Sequence, residues 1–141
     1  MVSDISKFEV GDQISPLNIK PVTKKSLKRY ADASGDPNLI HLSKDFAQKN
    51  GLPDVIAHGM LVMAYLGRML TNTFPQSCLK SFSSKFISMT CINDKLSCSG
   101  KIIERGEDVS GNLVYKIQLK AINQNNEKRI SGKASIIIYR K

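Results

Sequence analysis

Asp36, Asn38 and His41 place a carboxylate, an amide and an imidazole within six residues, in the stretch Ser34-Gly35-Asp36-Pro37-Asn38-Leu39-Ile40-His41. Further on, Ala57-His58-Gly59-Met60-Leu61 ends a loop and opens the most apolar run of the chain. A carboxylate and an imidazole converging on one point could hold a single water molecule and exchange protons with it. In an unbroken helix, residues five apart would point about 140° away from each other. Pro37 removes that obstacle, because the residue before a proline is driven out of helical geometry and Asp36 can fold back toward His41. Asn38 could orient the water without titrating. The Gly59 amide would sit at a helix start, where unpaired N–H groups and the helix dipole favour negative charge. A residue without a side chain there lets a carbonyl approach closely. Such a donor suits the enolate oxygen that develops when a proton moves at the carbon beside a thioester carbonyl.

Each of these residues taken alone has a structural reading. Asp36 before Pro37 reads as an N-cap ahead of a first-turn proline. Asn38 is ordinary turn chemistry, and a single histidine is commonly a hydrogen-bonded structural group. His58 reads as a structural partner of its loop rather than a second base. It is the grouping that points to chemistry.

Elements must hold that grouping. Phe8-Glu9-Val10-Gly11-Asp12-Gln13-Ile14 reads as a short extended segment with a Gly-Asp turn. Thr23 can cap a helix over Lys24 to Ala33, with Leu27, Tyr30 and Ala31 on one face, and Ser34-Gly35 ends it. Asp36 then acts as the cap of one short turn carrying Asn38 and His41. Ser43 can cap a second short helix through Asn50, closed by Gly51, and Pro53 lies in the loop reaching Ala57. From Gly59 to Leu70 the run is apolar on nearly every side, which predicts a core helix enclosed by other elements, with Pro75 as its outer limit. After Lys80 the period changes. Leu113 to Ala121 alternates apolar and mostly polar residues, and Phe82 to Cys91, Lys95 to Glu104 and Arg129 to Tyr139 also read as strands. With turns at Gly106, Gly111 and Asn123 to Asn126 and no helices between, these strands form antiparallel hairpins. Their apolar face packs on the 59–70 helix. No internal repeat or low-complexity segment is present.

At 141 residues the chain predicts one domain, 1–141, able to bury a core without staples. A hydrophobic content of 41% is ordinary for a globular protein and argues against disorder. The longest apolar run, Met60 to Leu66, falls far short of the roughly 20 residues a bilayer span needs, and Met1 to Lys7 has no signal-like apolar region. Cys78, Cys91 and Cys98 form neither a CxxC pair nor a disulfide framework, and lack the histidine spacing of a zinc site. A reducing cytoplasm fits. The net charge of +9 suits an anionic partner, yet the basic residues are scattered along the sequence, with no basic run of five and no aromatic interleaving. That favours a solvated basic surface over a nucleic-acid footprint.

Tyr30-Ala31-Asp32-Ala33-Ser34-Gly35-Asp36-Pro37-Asn38-Leu39-Ile40-His41, with Ala47 six residues on, resembles the hydratase-2 motif of the MaoC-like (R)-specific enoyl-CoA hydratases and 3-hydroxyacyl-thioester dehydratases. Ala57-His58-Gly59-Met60-Leu61 resembles the start of that family's central helix, and Phe8-Glu9-Val10-Gly11-Asp12 its N-terminal phrase. The resemblance spans nearly the whole chain. Leu39 stands where the motif usually has proline, Ala33 where glycine or a larger aliphatic residue is common, and Ala64 where some members carry serine. The resemblance implies an α+β hot-dog fold, an antiparallel sheet wrapped around one long helix. It implies reversible syn hydration of trans-2-enoyl thioesters to (R)-3-hydroxyacyl thioesters, in fatty-acid metabolism. Asp36 and His41 would be the catalytic pair, Asn38 would help place water, and the Gly59 N–H would form the oxyanion hole. No metal or redox cofactor is needed. The implied partners are an acyl-CoA or acyl-carrier-protein thioester and a second subunit, as a homodimer or a heterodimer, with no nucleic acid and no membrane. The other reading is a non-catalytic hot-dog subunit that binds acyl thioesters or a partner chain.

Overall fold

The computed structural model describes residues 4–140; Met1–Ser3, part of the stretch in which no signal-like region is expected, and Lys141 lie outside them. Local chemistry fixes the first helix. In α1 (Lys24–Ser34), the Thr23 hydroxyl accepts from Ser26 N–H while Ser26 Oγ accepts from Thr23 N–H, and Gly35 closes the helix at φ 73°. Only glycine takes that left-handed geometry without cost. Leu27 and Ala31, one turn apart, are its buried face. A single 3-10 turn, Leu39–His41, follows, then α2 (Lys44–Lys49), capped by Ser43 as its spacing predicts.

The 3-10 turn corrects one expectation. Asn38, not Asp36, is its cap: the Asn38 side-chain oxygen accepts from Ile40 N–H at 3.1 Å. Asp36 and Pro37 stay extended ahead of it, and the Asp36 carboxylate accepts only the Asn38 N–H, at 3.3 Å. The Asn38 side-chain oxygen meets an N–H of the turn and the Asp36 carboxylate does not, so the turn begins after Asn38 rather than at Pro37.

The sheet comprises β1 (Leu17–Asn18), β2 (Leu79–Phe86), β3 (Ser97–Glu107), β4 (Leu113–Ile122) and β5 (Lys128–Ile138). Its spatial order is β1-β3-β4-β5-β2, antiparallel throughout. β4 is the clearest case of sequence dictating orientation. Leu113, Tyr115, Ile117, Leu119 and Ala121 are all buried, while the alternate Lys116, Gln118 and Lys120 face solvent. The buried row packs on α3 (Gly59–Thr73) through Val62, Leu66, Met69 and Leu70. At about 25 cal/mol per Å², a core of this kind is the main term holding sheet to helix. Tyr115 closes the far end, donating to Ile5 O at 2.8 Å and meeting Phe8 edge-on.

Three differences from expectation bear on function. The α3 helix is not enclosed: Met60, Ala64 and Arg68 form an exposed stripe, because five strands wrap only one side of it. β2 ends at Phe86 rather than running to Cys91, since the amides of Ile87 and Ser88 both turn to one carbonyl, that of Arg129. The residues from Ile87 to Cys91 instead form a strap crossing back toward α3. The lysines scattered in sequence are gathered in space. On the outer face of the sheet, cross-strand neighbours run Lys85–Ser131–Lys120–Ser99 and Ser83–Lys133–Gln118–Lys101. None of those four lysines has an ion-pair partner among the described residues, whereas the adjoining Lys116 meets Glu104 at 3.4 Å. No helix among the described residues is long and apolar enough to cross a membrane, and all three cysteines are free.

Candidate active site

The 3-10 turn and the start of α3 bring their polar groups together. His41 is buried, and its Nδ1 lies 2.8 Å from the Ile56 carbonyl oxygen, an arrangement that requires Nδ1 to carry the proton and donate it. Nε2 is thereby left with its lone pair free. His58, also buried, donates from Nε2 to the Asp36 backbone carbonyl at 3.2 Å. The two imidazoles stack at 3.8 Å between centroids and 24° between planes, and Tyr30 meets His58 edge-on at 4.8 Å. One side-chain atom from each of Asp36, His41 and His58 falls within 4.8 Å of the others. That is the span of one water molecule hydrogen-bonded on two sides. The Asp36 carboxylate reaches this point from the solvent side, the histidines from within.

Burial pushes the His58 pKa down, and the neighbouring His41 adds to that, against the Asp36 carbonyl, which favours the charged ring. His58 therefore stays neutral, its Nδ1 buried without a partner among the described residues. The stacked imidazoles send their lone pairs out in nearly parallel planes rather than toward a common ion, unlike the ligands of a tetrahedral metal site.

At Gly59 the helix start is bare. The His58 side chain makes no capping bond, the first turn holds no acidic residue, and the Gly59 N–H meets no acceptor among the described residues. A β-carbon on Gly59 would lie 2.9 Å from Phe86 Cε1, so an added side chain there would have to displace that ring. His41, Gly59 and Val62 line one side of a pocket of about 290 Å³, faced by Phe86, Thr90 and Arg129. Its outer wall is apolar, with Phe86, Ile87 and Met89 each about half exposed.

Of the residues singled out in the sequence, Asp36, His41 and Gly59 thus converge. Asn38 caps the turn between the first two in sequence, its oxygen accepting from Ile40 N–H. Of the methionines, Met69 is core and Met63 packs against it, Met89 lines the pocket, and Met60 is exposed on α3. Two contributors had no signature in the sequence. One is the Ile56 carbonyl, a backbone atom any residue would supply. The other is the wall from Phe86 to Thr90, which reads as a continuing strand. Arg129 had a faint one, as a charge beside Ile130 where β5 turns inward.

Comparison with known proteins gives this geometry a context. The sequence matches the family described as MaoC like domain over residues 7–125. It is 28% identical over 138 residues to the mitochondrial 3-hydroxyacyl-[acyl-carrier-protein] dehydratase of Arabidopsis thaliana, covering 97% of this chain and 81% of that one. It is 32% identical over 114 residues to the fatty acid synthase beta subunit TOXC of Cochliobolus carbonum, covering 79% of this chain but only 5% of that much longer protein. The fold superposes on the (R)-hydratase from A. caviae involved in PHA biosynthesis with a TM-score of 0.82 and 20% identity, over 94% of this chain and 98% of the other. The helix wrapped by an antiparallel sheet is therefore a hot-dog fold. With relatives that are dehydratases and hydratases of fatty-acid metabolism, the chain belongs to the MaoC-like domain family.

Proposed function

We propose that this protein adds water reversibly across the double bond of a trans-2-enoyl thioester, forming the 3-hydroxyacyl thioester with (R) configuration. What carries the reading is the meeting of the Asp36 carboxylate and the His41 ring within 4.8 Å, beside the unpaired Gly59 amide. Asp36 and His41 grip one water, and the Asn38 NH₂ steadies it. As the water oxygen bonds to C3, the pair takes one of its protons, and the electrons of the C2–C3 bond move onto the thioester carbonyl. The Gly59 N–H, reinforced by the α3 dipole, stabilises that oxygen as charge develops. A proton then passes from the pair to C2 on the same face, so that one water has been added. Dehydration is the reverse. The His41 Nδ1–H bond to Ile56 O supports Nε2 as the nitrogen engaged in both transfers.

The apolar wall of Phe86, Ile87 and Met89 suits an acyl chain. The exposed stripe on α3 and the unpaired edge of β2 suit a second subunit, a copy of this chain or a related one. The substrate carrier is coenzyme A or an acyl carrier protein. The test is hydration of crotonyl and longer enoyl thioesters on both carriers, followed by loss of the conjugated double bond. Turnover by the unaltered protein, abolished in Asp36→Asn and His41→Ala, supports the reading. Thioester binding without turnover overturns it and leaves a non-catalytic binding subunit.

A further inference from the structure

Opposite the histidines lies a second buried polar group whose position is hard to explain by folding alone. Apart from His41 and His58, the buried polar or charged residues among those described are Thr90, Asp94, Asn123 and Arg129. Asp94, Asn123 and Arg129 belong to one network, and Thr90 lies in the segment it holds. Arg129 donates from Nε to Asp94 Oδ2 and from Nη1 to Ser88 Oγ, both at 3.0 Å. Asp94 Oδ2 also accepts the Cys91 N–H at 2.8 Å, and Oδ1 accepts from Asn123 Nδ2 at 3.2 Å. The Arg129 carbonyl holds the amides of Ile87 and Ser88, and Ser88 Oγ donates to Lys128 O.

The ion pair thus grips the strap at both ends, Ser88 through arginine and Cys91 through aspartate. The strap is what the active-site loop leans on. Thr90 O accepts the Ala57 N–H at 2.8 Å, and Cys91 bridges to Ile56 as an antiparallel partner. Ile56 O is the acceptor that holds the proton on His41 Nδ1, and Ile56 N–H in turn donates to Ile40 O inside the histidine's own turn. Two residues after Ala57 comes Gly59. A continuous set of short contacts therefore runs from Asp94–Arg129 through Cys91 and Ile56 to the His41 ring. A buried ion pair is a poor source of stability, since desolvation offsets most of its attraction, but it fixes geometry well because its bonds are directional.

We infer that Asp94 and Arg129 are positioning residues for the reaction: through the Ile87–Cys91 strap they hold Ile56 O in place, and so keep His41 with a proton on Nδ1 and a lone pair on Nε2. The inference rests on the proposed chemistry for its kinetic consequence but not for its spectroscopic one. A merely structural pair would set the melting temperature and leave the imidazole unchanged.

The experiment records ¹⁵N–¹H spectra of the His41 ring at neutral pH in the folded protein, with His58→Gln used to assign the signals. It compares unaltered protein with Arg129→Lys, Arg129→Gln, Asp94→Asn and Ser88→Ala, and measures kcat and KM on one short enoyl thioester. The unaltered ring carries its proton on Nδ1. In Arg129→Gln and Asp94→Asn a mixture of tautomers is expected, with kcat lower by about 10-fold or more, the scale on which small misplacements act, and KM little changed. Arg129→Lys, which keeps the charge but loses the fork, falls between, and Ser88→Ala, which cuts only the upper anchor, shows the smallest change in the same direction. Variants that fold, keep a pure Nδ1–H tautomer and retain kcat overturn the inference. Should Arg129→Gln or Asp94→Asn fail to fold, Arg129→Lys and Ser88→Ala decide it by the same two readouts. If the unaltered protein turns over no thioester, the proposed function fails, while the tautomer comparison still tests the positioning.

Discussion

Two polar clusters are buried on facing walls of one pocket, and they are finished to different degrees. In the Asp94–Arg129 network each carboxylate oxygen, and Nε and Nη1 of the guanidinium, has a partner, down to the Asn123 amide that braces Asp94. Across the pocket hydrogen-bonding capacity is left unspent: Nε2 of His41 and the N–H of Gly59 meet no partner among the described residues, and Nδ1 of His58 is fully buried without one. Leaving a buried polar atom such as His58 Nδ1 unpaired costs roughly 1–3 kcal/mol, so a fold tolerates it only where something else is gained. The contrast separates groups that hold shape from groups kept ready for a ligand, and it does so without reference to any relative.

Substitutions can break that contrast in order of expected effect. Asp36→Asn and His41→Ala should each lower kcat by about 10²- to 10⁴-fold, the usual contribution of a positioned acid or base. Asp36→Asn should leave thermal stability almost unchanged, because that carboxylate is exposed and makes one long hydrogen bond; steady-state rates and melting curves on the same samples check both. Asp94→Ala reverses the pattern. It strands a buried guanidinium, and denaturant titration should show a loss of about 3–5 kcal/mol.

Gly59→Ala sharpens the comparison further, since alanine is the better helix former by about 1 kcal/mol. The new methyl would press on the Phe86 ring beside the pocket. Stability should hold or rise while kcat/KM falls by about 10-fold, and Phe86→Ala in the same chain should return part of it. An unchanged kcat/KM would show that the ring yields freely. The smallest effect concerns His58. Its folded pKa lies below the ordinary 6.5, so the native state binds fewer protons than the unfolded chain there. Stability from this group is present above pH 6.5 and is lost as pH falls toward the folded pKa. Chemical denaturation across that window should show a shallower decline in His58→Gln than in the unaltered protein.

How far the sequence could be read follows from the range of the forces involved. Thr23, Ser26 and Gly35 define α1 because a capping box and a left-handed stop act within three or four residues. The alternation in β4 is equally local, and it survives because the strand has one wet face. Asp36 and His41 were legible as a pair because Pro37 removes the one conformation that would part them. The cap is the part that differs, since which of Asp36 and Asn38 serves depends on a shift of two residues in where the turn begins. Phe82 to Cys91 reads as unbroken strand because nothing in it announces that Arg129, some forty residues later, will draw two successive amides to one oxygen. Interactions that span the chain, such as Asp94 with Arg129 or Ile56 O with His41, leave no periodic trace.

The lysine rows on the outer sheet surface carry a consequence for assembly. Four ammonium groups share two adjacent rows with only serine and glutamine between them, so laying one such surface on another would double a charge that nothing offsets. Copies of this chain will therefore avoid stacking back to back, and adding salt should relax that aversion. The surface proposed above for a second subunit lies elsewhere, where Met60 and Ala64 are exposed and the edge of β2 is unpaired.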